Sequence, residues 1–180
     1  EVLMALTLIS THTASASATL DITSGIDSTY ASYEFHFVNI HPAASSSIQF
    51  QVNAAGASGF NETITSAFFR AYQHEDGSEA AVGYRTHADQ AQGTAYQYIS
   101  ESAATLDDAS VSGVLTLYAP SSTTYVKHFL ARANSMAGTP TTVDAFASGY
   151  INTTSAIDEI SFKMNTGNID AGTIKMFGVS

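Results

Sequence analysis

The chain contains no cysteine and no tryptophan. Without thiols it can build neither a disulfide framework nor a thiolate metal site. Without tryptophan it lacks the side chain best suited to stacking on sugars. Charge is scarce as well: Asp, Glu, Lys and Arg make up 12% of residues, roughly half the usual share. Basic charge is scarcest, with six Lys plus Arg against sixteen Asp plus Glu, a net charge of −10. That balance argues against phosphate-backbone binding and against anionic membrane surfaces, so neither nucleic acid nor membrane is expected as a partner. No apolar run approaches the length of a membrane span. The opening stretch Glu1–Ile9 has an apolar flavour but no basic lead, which makes it a poor signal peptide. Met4 is a candidate native start, with Glu1–Leu3 a remnant of upstream sequence or processing.

What the chain does have is length and alternation. Its 180 residues can bury a large core without staples. Ser and Thr make up about a quarter of it, yet Phe, Tyr, Ile, Leu and Val recur throughout, so the composition is not that of a disordered chain. The stretch Ile157–Val179 sets the pattern. Ile157–Met164 and Thr173–Val179 alternate with period two around the turn-rich Asn165–Gly172, and they read as a closing hairpin.

The same period recurs upstream. In Tyr30–Ile40, Tyr33, Phe35 and Phe37 share one face, and Glu34, His36, Val38 and Ile40 share the other. In Ser47–Asn53, Ile48, Phe50 and Val52 point inward. Thr63–Gln73 reads as a strand because β-branched and aromatic residues dominate it. Gly83–Gly93 reads as a long irregular loop. Val111–Tyr118 and Thr124–Arg132 form a pair, with Phe129 and Tyr125 on the inward face, and Val143–Ile151 is a further strand.

The expected fold is therefore all-β: a two-sheet antiparallel jelly-roll-like sandwich of about eight or nine strands. Phe35, Phe50, Leu115, Phe129, Ile160 and Phe162 are its expected core. Residues 1–20 read as an N-terminal arm and residues 21–180 as the sandwich domain. In the arm, Leu6, Leu8 and Ile9 are candidate assembly contacts, tethered by the small and polar run Thr11–Ala18. The alternative is that Leu6–Ile9 pairs within its own sandwich as an edge strand.

Reaction chemistry is not evident. The six histidines, His12, His36, His41, His74, His87 and His128, show no H-x-x-x-H or H-x-H spacing. His74-Glu75-Asp76 reads as a solvated turn tip. Asp107-Asp108 near Glu101 lacks the D-x-D-x-D-G loop of a calcium site. Asp158 and Glu159, adjacent in a strand, should point to opposite faces. No nucleophile elbow, P-loop or dinucleotide fingerprint occurs. The sequons at Asn61 and Asn152 are those expected by chance in a Thr-rich chain. The expectation is a protein that is not an enzyme, with no cofactor, no metal site and no identified ligand-binding residues.

Five stretches carry a resemblance. They are IDSTYASYEFHFVNIHPA (26–43), IQFQVN (48–53), FFRAYQHE (68–75), SGVLTLYAPSSTTYVKHF (112–129) and GYINTTSAIDEISFKMNTGNIDAGTIKMFG (149–178). Together they resemble small jelly-roll virion structural proteins of tailed phages, especially phages of marine bacteria and cyanobacteria. The last stretch, a strand, a G-N-I-x-x-G loop and a final T-I-K-x-F/Y-G strand, is the most specific. The resemblance implies a β-sandwich at the virion surface that self-assembles, and no catalytic residues. On that footing the expected function is a capsid-exterior decoration or cement protein, with a homotrimer matching threefold positions of the shell. Its partners would be its own copies and the major capsid protein or tail proteins. The alternative is a tail-fibre or receptor-binding jelly roll that recognises a host-surface glycan.

Overall fold

In the computed structural model, which describes residues 5–180, the alternating segments form strands and no helix is present among them. The candidate start at Met4 and the remnant Glu1–Leu3 lie outside the described residues. The strands are β1 (Leu6–Thr13), β2 (Leu20–Ile22), β3 (Ser32–Pro42), β4 (Ile48–Ala54), β5 (Ile64–His74) and β6 (Ala80–Tyr84). They continue with β7 (Gln97–Tyr98), β8 (Val111–Tyr118), β9 (Lys127–Ala137), β10 (Thr141–Ile151), β11 (Ile157–Met164) and β12 (Ile169–Val179).

All the pairings are antiparallel. They build one eight-stranded sheet, β1-β12-β3-β8-β9-β10-β5-β6, and one four-stranded sheet, β2-β11-β4-β7. The pairings nest: β1 with β12, β2 with β11, β3 with β8 and β4 with β7. Successive outer pairs fall alternately in the two sheets, as in a jelly roll. Four further strands, β9, β10, β5 and β6, widen the larger sheet beyond that frame.

The core lies between the sheets. Phe35, Phe50, Leu115, Phe129, Ile160 and Phe162 are all buried there, as their alternation requires. Phe162 of the small sheet packs against Phe35 and Phe37 of the large one, with ring centroids 5.5 and 5.4 Å apart. Gly178 leaves room for Tyr30, since a Cβ there would fall 2.3 Å from the Tyr30 ring.

Several local expectations change. Ile157–Met164 and Thr173–Val179 do not form a hairpin. β11 pairs with β2 and β4 in the small sheet, whereas β12 pairs with β1 and β3 in the large one. The turn-rich loop crosses between sheets because both strands have an apolar face to bury in the same core. Ile40 is buried, not outward, because a bulge at Asn39, with φ 51°, flips the alternation after Val38. Tyr125 precedes β9 and is 73% exposed. Part of the expected loop at Gly83 belongs to the edge strand β6.

The N-terminal segment is not a separate arm. Leu6–Thr13 is an edge strand along β12, Ser17 bridges to Ile169, and Leu20–Ile22 enters the small sheet. The unpaired edge of β12 offers main-chain partners that a free arm would leave to water.

Loops cover two of the sheet faces. The outer side of the small sheet lies under residues 55–62 and 94–97, and β4 is buried along its whole length. There Gln51 Nε2 donates to the carbonyls of Glu62, Thr94 and Ala95 at 2.9, 3.2 and 3.1 Å. The Tyr96 hydroxyl donates to Ser161 Oγ, which donates to Asp21. Where β5, β9 and β10 extend past the small sheet, residues 85–90 and 99–104 cover their inner side. Glu101, 8% exposed, takes Arg85 Nε at 2.7 Å and faces Arg70 Nη1 at 3.6 Å, which fastens that segment down. Among the described residues the outer face of the eight-stranded sheet has no such cover.

Candidate functional site

Alternation sends Leu115, Phe129, Ala145, Phe68 and Met176 inward, so their chain neighbours Val114, Leu130, Phe146, Phe69 and Phe177 stand on the outer face. In most soluble sandwiches those neighbours are polar. Here eight of the ten exposed large apolar side chains among the described residues lie on this one face: Leu6, Leu8, Val38, Phe69, Val82, Tyr84, Tyr118 and Leu130.

Register aligns these residues in rows across the strands. One row runs Lys175, His36, Val114, Arg132, Phe146, Phe69 and Tyr84. The next runs Leu8, Phe177, Glu34, Thr116, Leu130, Ser148 and Ala67. The Phe69 and Phe146 rings stack at 4.7 Å with planes 6° apart, a rigid aromatic plate. The Arg132 guanidinium lies 5.0 Å from the Phe146 ring. It also forks onto Asp144, with Nε to Oδ1 at 3.1 Å and Nη2 to Oδ2 at 2.7 Å. That carboxylate holds the Arg132 pKa above its ordinary value. His36 meets Glu34 at 2.8 Å and packs on Phe177 at 4.6 Å. A trough of about 410 Å³ lies between the rows, lined by Phe69, Val114, Thr116, Leu130, Arg132, Phe146 and Ser148.

The arrangement offers contact area, and the Glu34 and Arg132 charges are met by their neighbours. Such a patch suits docking against another surface more than chemistry on a small molecule.

Two of the three assembly residues named from sequence stand on this face. Leu6 and Leu8 are 51% and 53% exposed beside Val179 and Phe177. Ile9 does not join them. The bulge between Leu8 and Ser10 turns it toward the core, where it would lie 3.0 Å from a Cβ on Gly25.

The charged clusters stay apart. His74 Nδ1 lies 3.2 Å from Ser78 Oγ, and its Nε2 is 4.0 Å from Glu79. Asp76 accepts from the Ser78 amide at 2.8 Å, which closes the turn tip. Glu101 faces Arg70 and Arg85, away from any pairing with Asp107 and Asp108. Glu159 accepts from Asn53 Nδ2 at 3.0 Å. Among the described residues no three His, Asp or Glu side chains stand close enough to hold a metal ion.

Sequence reasoning assigned most Phe and Tyr residues to the inward pattern and so missed the wide outer face. The signal was the doubled apolar pairs Phe68-Phe69, Val114-Leu115 and Phe129-Leu130, in which both strand parities are apolar. Compared with known proteins, the chain matches no family model, no curated protein and no solved structure.

Proposed function

We propose that this protein is a structural subunit of a phage virion, a capsid-exterior decoration or cement protein that self-assembles on the shell, and that its role is docking and not catalysis. The observation that carries this reading is the outer face of the eight-stranded sheet: broad, apolar and uncovered in a protein otherwise polar and acidic. The resemblance of five stretches between residues 26 and 178 to small jelly-roll virion proteins supplies the setting. Among the described residues loops fold back on the other faces of the nested two-sheet frame and this surface stays open, which supports a docking role.

A second reading, a receptor-binding jelly roll of the tail, is favoured by one feature. An open cleft of about 370 Å³ near the β5–β6 turn is lined by His74, Glu75, Asn134, Thr142 and Met136, amide and hydroxyl groups beside an apolar side chain.

Copies per particle separate the two readings. Quantitative mass spectrometry of purified virions, normalised to the major capsid protein, should give hundreds of copies for a decoration protein. A handful to a few dozen would move the protein to the tail, and none would remove it from the virion.

A further inference from the structure

We infer that the outer face of the eight-stranded sheet docks on the same face of a second copy, about a two-fold axis. This deepens the structural-subunit reading and rests on it, because it names the partner of that surface. Three observations carry it.

The first is charge. The strand residues of this face include three carboxylates, Glu34, Asp144 and, at its margin, Asp170, and two fixed cations, Arg132 and Lys175. The face is therefore close to neutral, and nearly all of the net charge of −10 lies elsewhere. Two strongly acidic copies repel least when they meet across their one large nearly neutral surface, whereas a basic partner would be drawn to the acidic remainder.

The second is shape. Arg132, Phe146 and Phe69 form a ridge, with the two rings stacked 4.7 Å apart. The neighbouring row is low at Ser148 and Ala67, beside the raised Leu130, and the trough of about 410 Å³ opens onto both rows. A two-fold axis parallel to these rows and midway between them sets the Phe146–Phe69 plate of each copy over the low Ser148 and Ala67 of the other and brings Arg132 against Leu130. A ridge beside a trough is self-complementary in this way, as an isologous contact requires.

The third is area. Eight strands about 4.8 Å apart and eight residues at about 3.4 Å each give a face of about 34 by 27 Å. That footprint is comparable to the roughly 800 Å² per partner that a stable interface buries.

The test is the oligomeric state of the full chain, read by light scattering and sedimentation from about 1 to 200 µM. The expected result is a reversible dimer of twice the 18.9 kDa chain. Leu130→Glu, at a side chain 53% exposed in the protomer, should weaken dimerisation at least about 30-fold with the melting temperature of the protomer unchanged. Ser148→Arg, which fills the trough and leaves Leu130 in place, should do the same. Tyr125→Glu, at a side chain 73% exposed but off this face, should leave the dimer intact. A monomer throughout the range, a trimer, or a dimer that survives both face substitutions overturns the inference. The functional reading is judged separately by copy number. A monomer present in hundreds of copies per virion refutes the pairing alone. A dimer absent from virions refutes the functional reading alone.

Discussion

Phe162 is wholly buried between the two sheets, with Phe35 and Phe37 against its ring. Phe162→Ala should cost about 3–5 kcal/mol in urea unfolding, because surrounding strands fixed by their ladders collapse poorly into the void. A loss under about 1 kcal/mol would mean that the ring does not fill the core. Lys127 is the unusual buried residue. Its ammonium donates to the carbonyls of Tyr125 and Thr153 at 3.1 and 3.2 Å and reaches no carboxylate of the described residues within ion-pair distance. Burial pulls its pKa below the ordinary lysine value, and the field of Glu62 opposes that shift. A base with a lowered folded-state pKa is held less tightly protonated in the fold than in the unfolded chain. Stability from this residue therefore rises as pH climbs toward 10.5. Compared with Lys127→Met, the wild type should gain stability between pH 7 and pH 10 in denaturant melts. A difference that stays flat or moves the other way would show that this ammonium is well solvated.

At the level of elements, the N-terminal strand and the Glu101 segment are the parts whose roles depend most on context. β1 runs beside β12 and caps one edge of the large sheet, so deleting residues 1–17 should lower the melting temperature by about 10 °C. An unchanged melting temperature would mean that β1 detaches in solution and acts as the tethered arm expected from its composition. Glu101 gathers Arg85 and Arg70 over the inner side of the widened sheet. Glu101→Gln leaves two guanidiniums without their carboxylate. Both are partly exposed, so the cost should be about 2 kcal/mol, below that of a fully buried pair. Hydrogen exchange localises the effect. The amides of Ala103 and Ala104, which donate to Ser46 and Met136 carbonyls at 2.7 and 2.8 Å, should exchange faster. Equal protection in wild type and variant would show that the main-chain bonds alone hold the segment.

For the whole molecule, the governing features are a polar, acidic exterior and one nearly neutral apolar face. The acidic charge keeps copies apart everywhere except at that face, and it fades as pH approaches the isoelectric point of about 4.7. Static light scattering across pH 8 to 4.7 should therefore rise steeply near the lower end, with association spreading beyond the wide face. Scattering independent of pH would show that charge does not limit association.

The strands and the core were legible in the sequence because period-two alternation is a local property: each residue's face follows from its neighbour's. Phe35, Phe50, Leu115, Phe129, Ile160 and Phe162 needed no tertiary knowledge to be placed inside. The two-sheet class followed from many strands with turns between them. Bulges were not legible, and so Ile40 and Ile9 were placed on the wrong side, because one inserted residue reverses every later assignment. Nor was partner choice. Residues 157–179 read as a hairpin, and only the competition of β2, β3 and β4 for the same edges set the two strands in different sheets. The wide face emerged last. Leu130, Phe69 and Phe146 are ordinary apolar residues in the sequence, and they become a surface only when cross-strand register lines them up and no loop folds back over them.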